Sequence, residues 1–237
     1  MTRLKRLAAP PHPTWQSAAS RARVERFLEA ETRRVPTGWR LNVGSASRRV
    51  GARVLNLDLL PGPEVDLRAD ILHLPIKSQS VDTLVCTGVL EHVPDAHRAV
   101  DELYRVLSPG GGLFVEVPFM QTVHASPSDY ARWTRDGLTR LLRRFEVRES
   151  HVVAGPASGL AWAIQETLAM LFSFRSDVLY RVGLRLFGWL AVPISWLDRV
   201  LEGHPMAWRA ASGFAVVAAK PQHDLARQPT MPREGGG

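Results

Sequence analysis

Apolar positions along the chain fall into short dense runs separated by turn residues, with helical spacing in the stretches between them. From Thr14 to Arg34, the residues Trp15, Ala19, Val24, Phe27 and Leu28 share roughly one face. That pattern predicts an amphipathic helix, stopped by Pro36 and Gly38. Strands are predicted at Arg40–Gly44 and Val54–Asp58, with a shorter one at Val65–Asp70. Val81–Thr87 is dense enough in apolar residues to be a strand buried on both faces. Asp95 is placed to cap a helix in which Ala96, Val100, Leu103, Tyr104 and Leu107 recur at helical intervals. Pro109 and the glycines after it stop that helix. Leu113–Val117 is a fifth strand, Asp129–Phe145 a further helix, Phe145–Val153 a sixth strand and Gly213–Ala219 a seventh.

Strands alternating with helices between residues 40 and 150 argue for an α/β layer fold with parallel strands. One detail departs from the usual plan. Ser45–Arg53 and Leu59–Glu64 are all that separate the first three strands, whereas a helical parallel crossover needs about 10–12 residues. These crossovers are expected to be loops, which leaves that half of the sheet thinly covered.

Composition narrows the picture. A chain of 237 residues, 45% hydrophobic and 22% charged, suits one α/β domain with a helical addition. The formal charge of +7 favours acidic partners such as nucleic acid, anionic lipid or phosphorylated substrates. Its arginines are scattered and form no tract, so a nucleic-acid role is disfavoured. The one cysteine, Cys86, lies in an apolar run; it cannot form an internal disulfide and reads as a small buried side chain in a reducing, cytoplasmic setting. Met1–Pro13 is basic and broken by Pro10, Pro11 and Pro13 with no apolar stretch behind it, unlike a signal peptide. The expected organisation is a basic segment and helix over 1–38, a core domain over 39–220, and a polar, disordered tail over 221–237.

Four features, in order, point to a ligand at the carboxyl edge of the sheet. Leu41-Asn42-Val43-Gly44-Ser45-Ala46-Ser47 ends a strand with small residues, which let a ligand approach the backbone. Asp58, with Leu59 beside it, closes the second strand, where a carboxylate can accept from two vicinal ribose hydroxyls; a turn aspartate before Pro61-Gly62-Pro63 is the plain alternative. Asp70 and Ile71 close the third strand, positioned for an adenine amino group and ring nitrogen. Finally, Val81–Thr87 runs into Gly88-Val89-Leu90-Glu91-His92-Val93.

Together these pieces resemble the class I S-adenosylmethionine-dependent methyltransferases over residues 40 to 120, and in particular the type 11 group. That group shares Leu90-Glu91-His92-Val93-Pro94 and a helix ending Leu103-Tyr104-Arg105-Val106-Leu107-Ser108-Pro109-Gly110-Gly111. The resemblance implies a Rossmann-like, mostly parallel seven-stranded sheet whose last strand is antiparallel. It also implies S-adenosylmethionine as cofactor, with Gly44, Ser45 and Ala46 near the methionine part, Asp58 on the ribose, Asp70 and Ile71 at the adenine, and Thr87 and Leu90 beside the sulfonium. The group carries an acidic residue where this chain has Asn42, and glycines where it has Ala46 and Arg48. A non-catalytic cofactor- or partner-binding protein that retains the fold is the alternative reading. A nicotinamide-dependent oxidoreductase is disfavoured, because the three-glycine fingerprint is absent.

The stretch His124-Ala125-Ser126-Pro127-Ser128-Asp129-Tyr130-Ala131-Arg132-Trp133-Thr134 follows the fifth strand, where a methyl acceptor would lie. It is similar to segments of bacterial methyltransferases of glycan and cell-envelope pathways. His124, Asp129 or His92 could take a proton from an acceptor hydroxyl of a small molecule or glycan. Equally, Asp129 and Thr134 could cap the next helix while Tyr130 and Trp133 pack beneath it. No histidine or carboxylate cluster has metal-ligand spacing in the sequence, so no metal is expected.

Between them, residues 157–203 carry Trp162, Phe172, Phe174, Phe187, Trp189 and Trp196, interrupted by Arg175, Arg181 and Arg185. This apolar insertion before the last strand reads as core packing, a lid over the acceptor, a homodimer face, or a peripheral contact with the inner face of the membrane. Its charge-free runs are shorter than a spanning helix needs, so a transmembrane segment is not expected.

Overall fold

The computed structural model describes residues 18–45, 49–51 and 53–222. Seven strands form one sheet: β1 (Arg40–Val43), β2 (Leu55–Asp58), β3 (Leu67–Arg68), β4 (Val81–Thr87), β5 (Leu107–Pro118), β6 (Glu146–Ala154) and β7 (Gly213–Ala219), in spatial order β3-β2-β1-β4-β5-β7-β6. β1 to β5 pair in parallel, and β7 runs antiparallel between β5 and β6. This is the expected Rossmann-like, mostly parallel α/β arrangement, with the antiparallel final strand.

Period-two alternation in the central strands feeds two apolar layers. On one face Leu84, Cys86, Leu113 and Val115 pack with Val100 and Leu103 of helix α2 (Ala96–Val106) and with Leu138 and Leu141 of helix α3 (Arg135–Leu141). On the other, Val85, Phe114 and Ala215 receive Val24, Phe27 and Leu28 of helix α1 (Ala18–Arg34). Asp95 caps α2 as expected, accepting from the Arg98 N–H. Cys86 is fully buried, and burial pushes its thiol pKa up, which keeps it protonated and structural.

Among the described residues no helix occurs in the crossovers β1–β2, β2–β3 or β3–β4. The last of these loops is fastened instead by α2. The Arg105 guanidinium donates to the Leu74 and Ile76 carbonyls at 2.9 and 2.8 Å, and Glu102 accepts from the Leu74 N–H at 3.0 Å. Backbone groups that a helix would satisfy internally are met by one ion pair.

Several boundaries differ from expectation. The third strand contracts to Leu67–Arg68, and Asp70 makes only an isolated bridge with His73. β5 begins at Leu107, running through Pro109 and the glycines, because Ser80 N–H pairs with the Val106 carbonyl and Gly110 with Lys220. α3 starts at Arg135 with Thr134 as its cap, so Asp129 lies in the preceding loop. Trp133 packs against the core, but Tyr130 is exposed. The sequence segments 1–17 and 223–237, including most of the predicted tail, lie outside the described residues.

Residues 157–203 fold mainly as a helical hairpin, α4 (Pro156–Leu171) against α5 (Asp177–Ser195), followed by the short α6 (Asp198–Leu201). Gly183 of α5 lets the helices approach at Ala169, and Gln165 Nε2 donates to the Leu184 carbonyl at 2.9 Å. The hairpin returns to the domain through Asp198. Its buried carboxylate accepts from the Ala157 and Ser158 N–H groups at 2.9 and 2.8 Å and from the Ser158 hydroxyl at 2.5 Å. Those are free N–H groups at the start of α4, where a carboxylate also meets the positive end of the helix dipole.

Most of α5 faces outward: Leu179, Val182, Leu186 and Leu190 form an exposed stripe. No transmembrane segment is expected here, yet one stretch matches a spanning helix by length and composition alone. Asp177–Leu201 is 25 residues long, with mean hydropathy 1.2 in its most apolar window and 17% of that window buried. By length and composition it is apolar enough, because Arg181 and Arg185 break the charge-free run without bringing the average below that of a spanning helix.

Asp198→Ala should lower global stability by about 2 kcal/mol, the combined scale of a lost helix cap and of hydrogen bonds to a charged group. Denaturant unfolding checks this, and a change below about 0.5 kcal/mol would mean the hairpin is anchored elsewhere.

Candidate active site

A cavity of about 760 Å³ opens at the carboxyl ends of β1, β2 and β4. β1 lies centrally, with β2 on one side and β4 on the other, so the chain reverses direction across the sheet there. Such a switch point splays the loops apart and leaves a crevice.

Gly44 forms the floor. Its φ is +74°, and its N–H donates to the Leu57 carbonyl at 2.8 Å, as does that of Ser45 at 3.0 Å. A Cβ at Gly44 would overlap Val89 Cγ2. Ser45 is buried, and its hydroxyl oxygen has no hydrogen-bond partner among the described residues. A buried hydroxyl beside an open cavity is where a ligand's polar group fits. Asn42, at the position where the resemblance implies an acid, donates to Asn56 Oδ1 at 3.1 Å in the neighbouring strand.

Asp58, Leu59, Asp70, Ile71 and Thr87 line the cavity with Gly44 and Ser45. Asp58 and Asp70 each accept from a backbone N–H two residues on, Leu60 and Leu72, at 2.9 Å. Both are therefore turn aspartates as well as cavity carboxylates, and the turns hold them facing inward. Ala46 lies outside the described residues. Leu90 is corrected: it is fully buried in the core, within a 3-10 turn at Leu90–His92, and Val89 takes its place on the cavity wall. Val50, Pro61-Gly62-Pro63, Val93 and Trp162 are further lining residues that sequence reasoning missed. The diprolyl turn carried a legible signal; Trp162 did not, since it arrives from α4, far along the chain.

The opposite end of the cavity is polar. His92 and His124 meet edge to face with ring centroids 5.3 Å apart, and Trp162 lies 5.5 Å from His124. Behind them Glu91 is 1% exposed. Its Oε1 is 3.8 Å from Nε2 of each histidine, too long for a hydrogen bond. The loop carrying His124 hangs on this turn, because Tyr130 N–H donates to the Glu91 carbonyl at 2.7 Å and His92 Nδ1 to the Ser128 carbonyl at 2.6 Å. The Glu91 carboxylate raises the pKa of His124 above the ordinary imidazole value.

Asp129 has another task. Arg132 grips both of its oxygens, and the His124 N–H donates to it at 2.8 Å. The Arg132 guanidinium holds the Asp129 carboxyl down at about 2. So engaged, it braces the loop, and its expected part as a proton acceptor is withdrawn.

Comparison with known proteins agrees with this geometry. Residues 41–115 match the family model for a methyltransferase domain. Over 88 residues the chain is 34% identical to the ubiquinone biosynthesis O-methyltransferase of Xylella fastidiosa, which covers 31% of this chain and 36% of that protein. It is 28% identical over 126 residues to the arsenite methyltransferase of Halobacterium salinarum, covering 51% of this chain and 32% of the relative. The chain thus spans about a third of the length of these curated relatives. Among solved structures, the 1,6-didemethyltoxoflavin-N1-methyltransferase of Burkholderia thailandensis, determined with S-adenosylhomocysteine bound, shares the fold. Its TM-score is 0.51 at 16% identity, over 85% of this chain and 79% of that one.

Gly44→Ala should destabilise the fold by more than about 1–2 kcal/mol, the cost of a left-handed backbone for a residue with a Cβ, because the overlap with Val89 adds to it. Adding Val89→Ala should recover the overlap and leave the backbone part. Thermal melts of the single and double variants separate the two contributions, and equal melts would show that no overlap exists.

Proposed function

We propose that this chain, whose residues 41–115 belong to the methyltransferase domain family, transfers a methyl group from S-adenosylmethionine to an acceptor oxygen. The acceptor is a small molecule or a glycan or lipid-linked precursor. One observation carries the reading: a single cleft joins Gly44, Ser45, Asp58 and Asp70 on one side to His92, His124 and Trp162 on the other. When bound, the cofactor supplies a methyl carbon already activated by the sulfonium.

The protein's part is to hold two ligands in line. Asp58 accepts from the ribose hydroxyls, Asp70 and Ile71 meet the adenine, and Gly44 and Ser45 admit the methionine part against the backbone. Thr87 and Val89 border the position where the cofactor and acceptor ends meet. On the acceptor side, His92 and His124 face the oxygen whose proton must leave, and Trp162 walls the pocket against solvent. Displacement by an oxygen lone pair is governed by alignment, so most of the rate comes from fixing both ligands in this cleft. Support for oxygen as the acceptor atom comes from the imidazoles at this end, which suit a hydroxyl that must lose its proton.

Asp58→Ala should weaken S-adenosylmethionine binding at least about tenfold, the scale of one hydrogen-bonded carboxylate lost, without unfolding the protein. Calorimetric titration checks this. Absence of binding by the unaltered chain at millimolar cofactor would overturn the enzyme reading and leave the non-catalytic alternative.

The α4–α5 hairpin supplies a place to meet apolar acceptors. The exposed stripe Leu179, Val182, Leu186 and Leu190, with Trp189 and Trp196 nearby and Arg181 and Arg185 on its flank, fits the surface of an anionic bilayer. The chain's charge of +7 adds attraction to such a surface, as expected of a cytoplasmic protein docked to the inner face of the membrane. Co-sedimentation with phosphatidylglycerol vesicles should be strong and should fall sharply in Leu186→Glu/Leu190→Glu. Equal binding of that variant, or dimerisation through the stripe in place of lipid binding, would overturn the assignment.

A further inference from the structure

We propose that Glu91, His92 and His124 form a binding site for a divalent transition-metal ion of the zinc or cobalt class, at the acceptor end of the cavity. As a statement about how the acceptor oxygen is held, it rests on the methyl-transfer reading above; as a cation site it stands on its own geometry.

The orientation of both imidazoles follows from their outer neighbours. His92 Nδ1 lies 2.6 Å from the Ser128 carbonyl; a carbonyl can only accept, so Nδ1 carries a proton and the neutral ring presents its lone pair at Nε2. His124 Nδ1 lies 3.1 Å from the Thr122 carbonyl and 3.3 Å from Arg132 Nη2. Arg132 Nη2 has two hydrogens, and both are spent, on Asp129 Oδ2 at 2.6 Å and on the Thr122 carbonyl at 3.1 Å. His124 Nδ1 is therefore the donor to Thr122, and the neutral ring likewise presents its lone pair at Nε2.

Both lone pairs meet the same carboxylate. Glu91 Oε1 is 3.8 Å from each Nε2, and the ligand atoms of the three side chains all lie within 4.8 Å of one another. Glu91 Oε2 is buried and has no hydrogen-bond partner among the described residues. With both imidazoles neutral, three electron-pair donors converge on one point. Such an arrangement is repulsive and costly to bury unless a positive centre joins it. A single proton bridges one pair and leaves the third donor unmatched. A divalent ion meets all three.

The site has the other marks of a metal centre. Each histidine donates its second ring N–H to a backbone carbonyl, the outer-shell contact that fixes a ligating imidazole. Two imidazoles and one carboxylate suit zinc, cobalt or iron(II) better than magnesium or calcium, which prefer oxygen donors. Metal–nitrogen bonds of about 2.0–2.1 Å in a tetrahedron put neighbouring ligand atoms about 3.3–3.4 Å apart. The 3.8 Å from Glu91 to each imidazole, with all three ligand atoms within 4.8 Å of one another, closes to that by side-chain rotations. Both histidines line the cavity while Glu91 sits behind them, so the open coordination position faces the acceptor. An ion held there would acidify an acceptor hydroxyl and polarise its oxygen toward the cofactor side of the cleft, the proton leaving to water at the cavity mouth because the coordinated imidazoles could no longer accept it. The nearby Arg132 is held off by Asp129, which prevents a competing cation from filling the position.

The test uses the full, tag-free chain stripped of metal. Titration with Zn²⁺ should show one site, and Co²⁺ should develop the visible absorption of a low-symmetry site with nitrogen and oxygen ligands. Glu91→Gln, His92→Ala and His124→Ala should each lose more than about 100-fold in Zn²⁺ affinity, the upper range for losing even an outer-shell partner. Asp58→Ala, at the other end of the cavity, should keep the site. S-adenosylmethionine titration of each variant shows that the cleft is still formed. Absence of a Zn²⁺ site in a chain that binds S-adenosylmethionine overturns the cation proposal, as does Zn²⁺ binding that survives all three substitutions. A Zn²⁺ site in a chain that does not bind S-adenosylmethionine overturns the methyl-transfer reading and leaves the cation proposal standing.

Discussion

The close approach of Gly44 to Val89 is the constraint on which the rest of the site depends. β1 and β4 are neighbours in the sheet, paired from Arg40 with Thr83 to Val43 with Cys86. Beyond that pairing the two chains part, β1 turning over β2 and β4 entering the turn at 88–92. The space between them is the cavity. Only a residue without a Cβ lets the first turn pass under the second, and the N–H groups of Gly44 and Ser45 then both reach the Leu57 carbonyl. A side chain there would lift the turn carrying Glu91 and His92 and separate the two ends of the cleft.

That turn also carries the loop on the far side. Glu91 gives its carbonyl to Tyr130 N–H while its carboxylate faces the two histidines, and His92 gives its Nδ1–H to Ser128. One dipeptide therefore fixes a loop more than thirty residues away. Arg132 and Asp129 complete the brace from within the loop, which is why an aspartate that reads as a helix cap or a base serves neither purpose. The cap belongs to Thr134, five residues later.

Much of the sheet was legible, because strands buried on both faces leave dense apolar runs whatever their neighbours do. Val81–Thr87 and Gly213–Ala219 appear with the predicted bounds. β5 was foreshortened in the sequence reading because Ser108-Pro109-Gly110-Gly111-Gly112 carries turn chemistry, while its place in the sheet is set by pairing with distant residues. On the cofactor side, glycine and aspartates at strand ends announced themselves through local geometry. Leu90 and Val89 were exchanged because a 3-10 turn, unlike a strand, does not follow the alternation that would tell which side chain faces the cavity. The cluster of Glu91, His92 and His124 was invisible for a different reason. Metal-ligand spacing in a sequence marks ligands that share a helix or a tight loop; here the third arrives through tertiary contact.

The insertion joins these two scales. Asp198 pins the end of the hairpin to the start of α4, and one helical stretch further on Trp162 places its ring beside His124. The hairpin that offers an apolar stripe to the outside thus also forms a wall of the cavity through Trp162. α5 is tied to α4, and so to that wall, by the Gly183–Ala169 contact and the bond from Gln165 to Leu184. Among the described residues the crossovers at the other end of the sheet have no such helices, and their loops are held by side chains: Arg105, Arg49 on Glu64 and Asp66, Arg68 on the Leu59 carbonyl, and the turn aspartates. The proposed cofactor end of the cleft is built from short local turns that strand ends dictate. The proposed acceptor end is built from long-range packing, with His124 and Trp162 brought to it from loops and helices far along the chain.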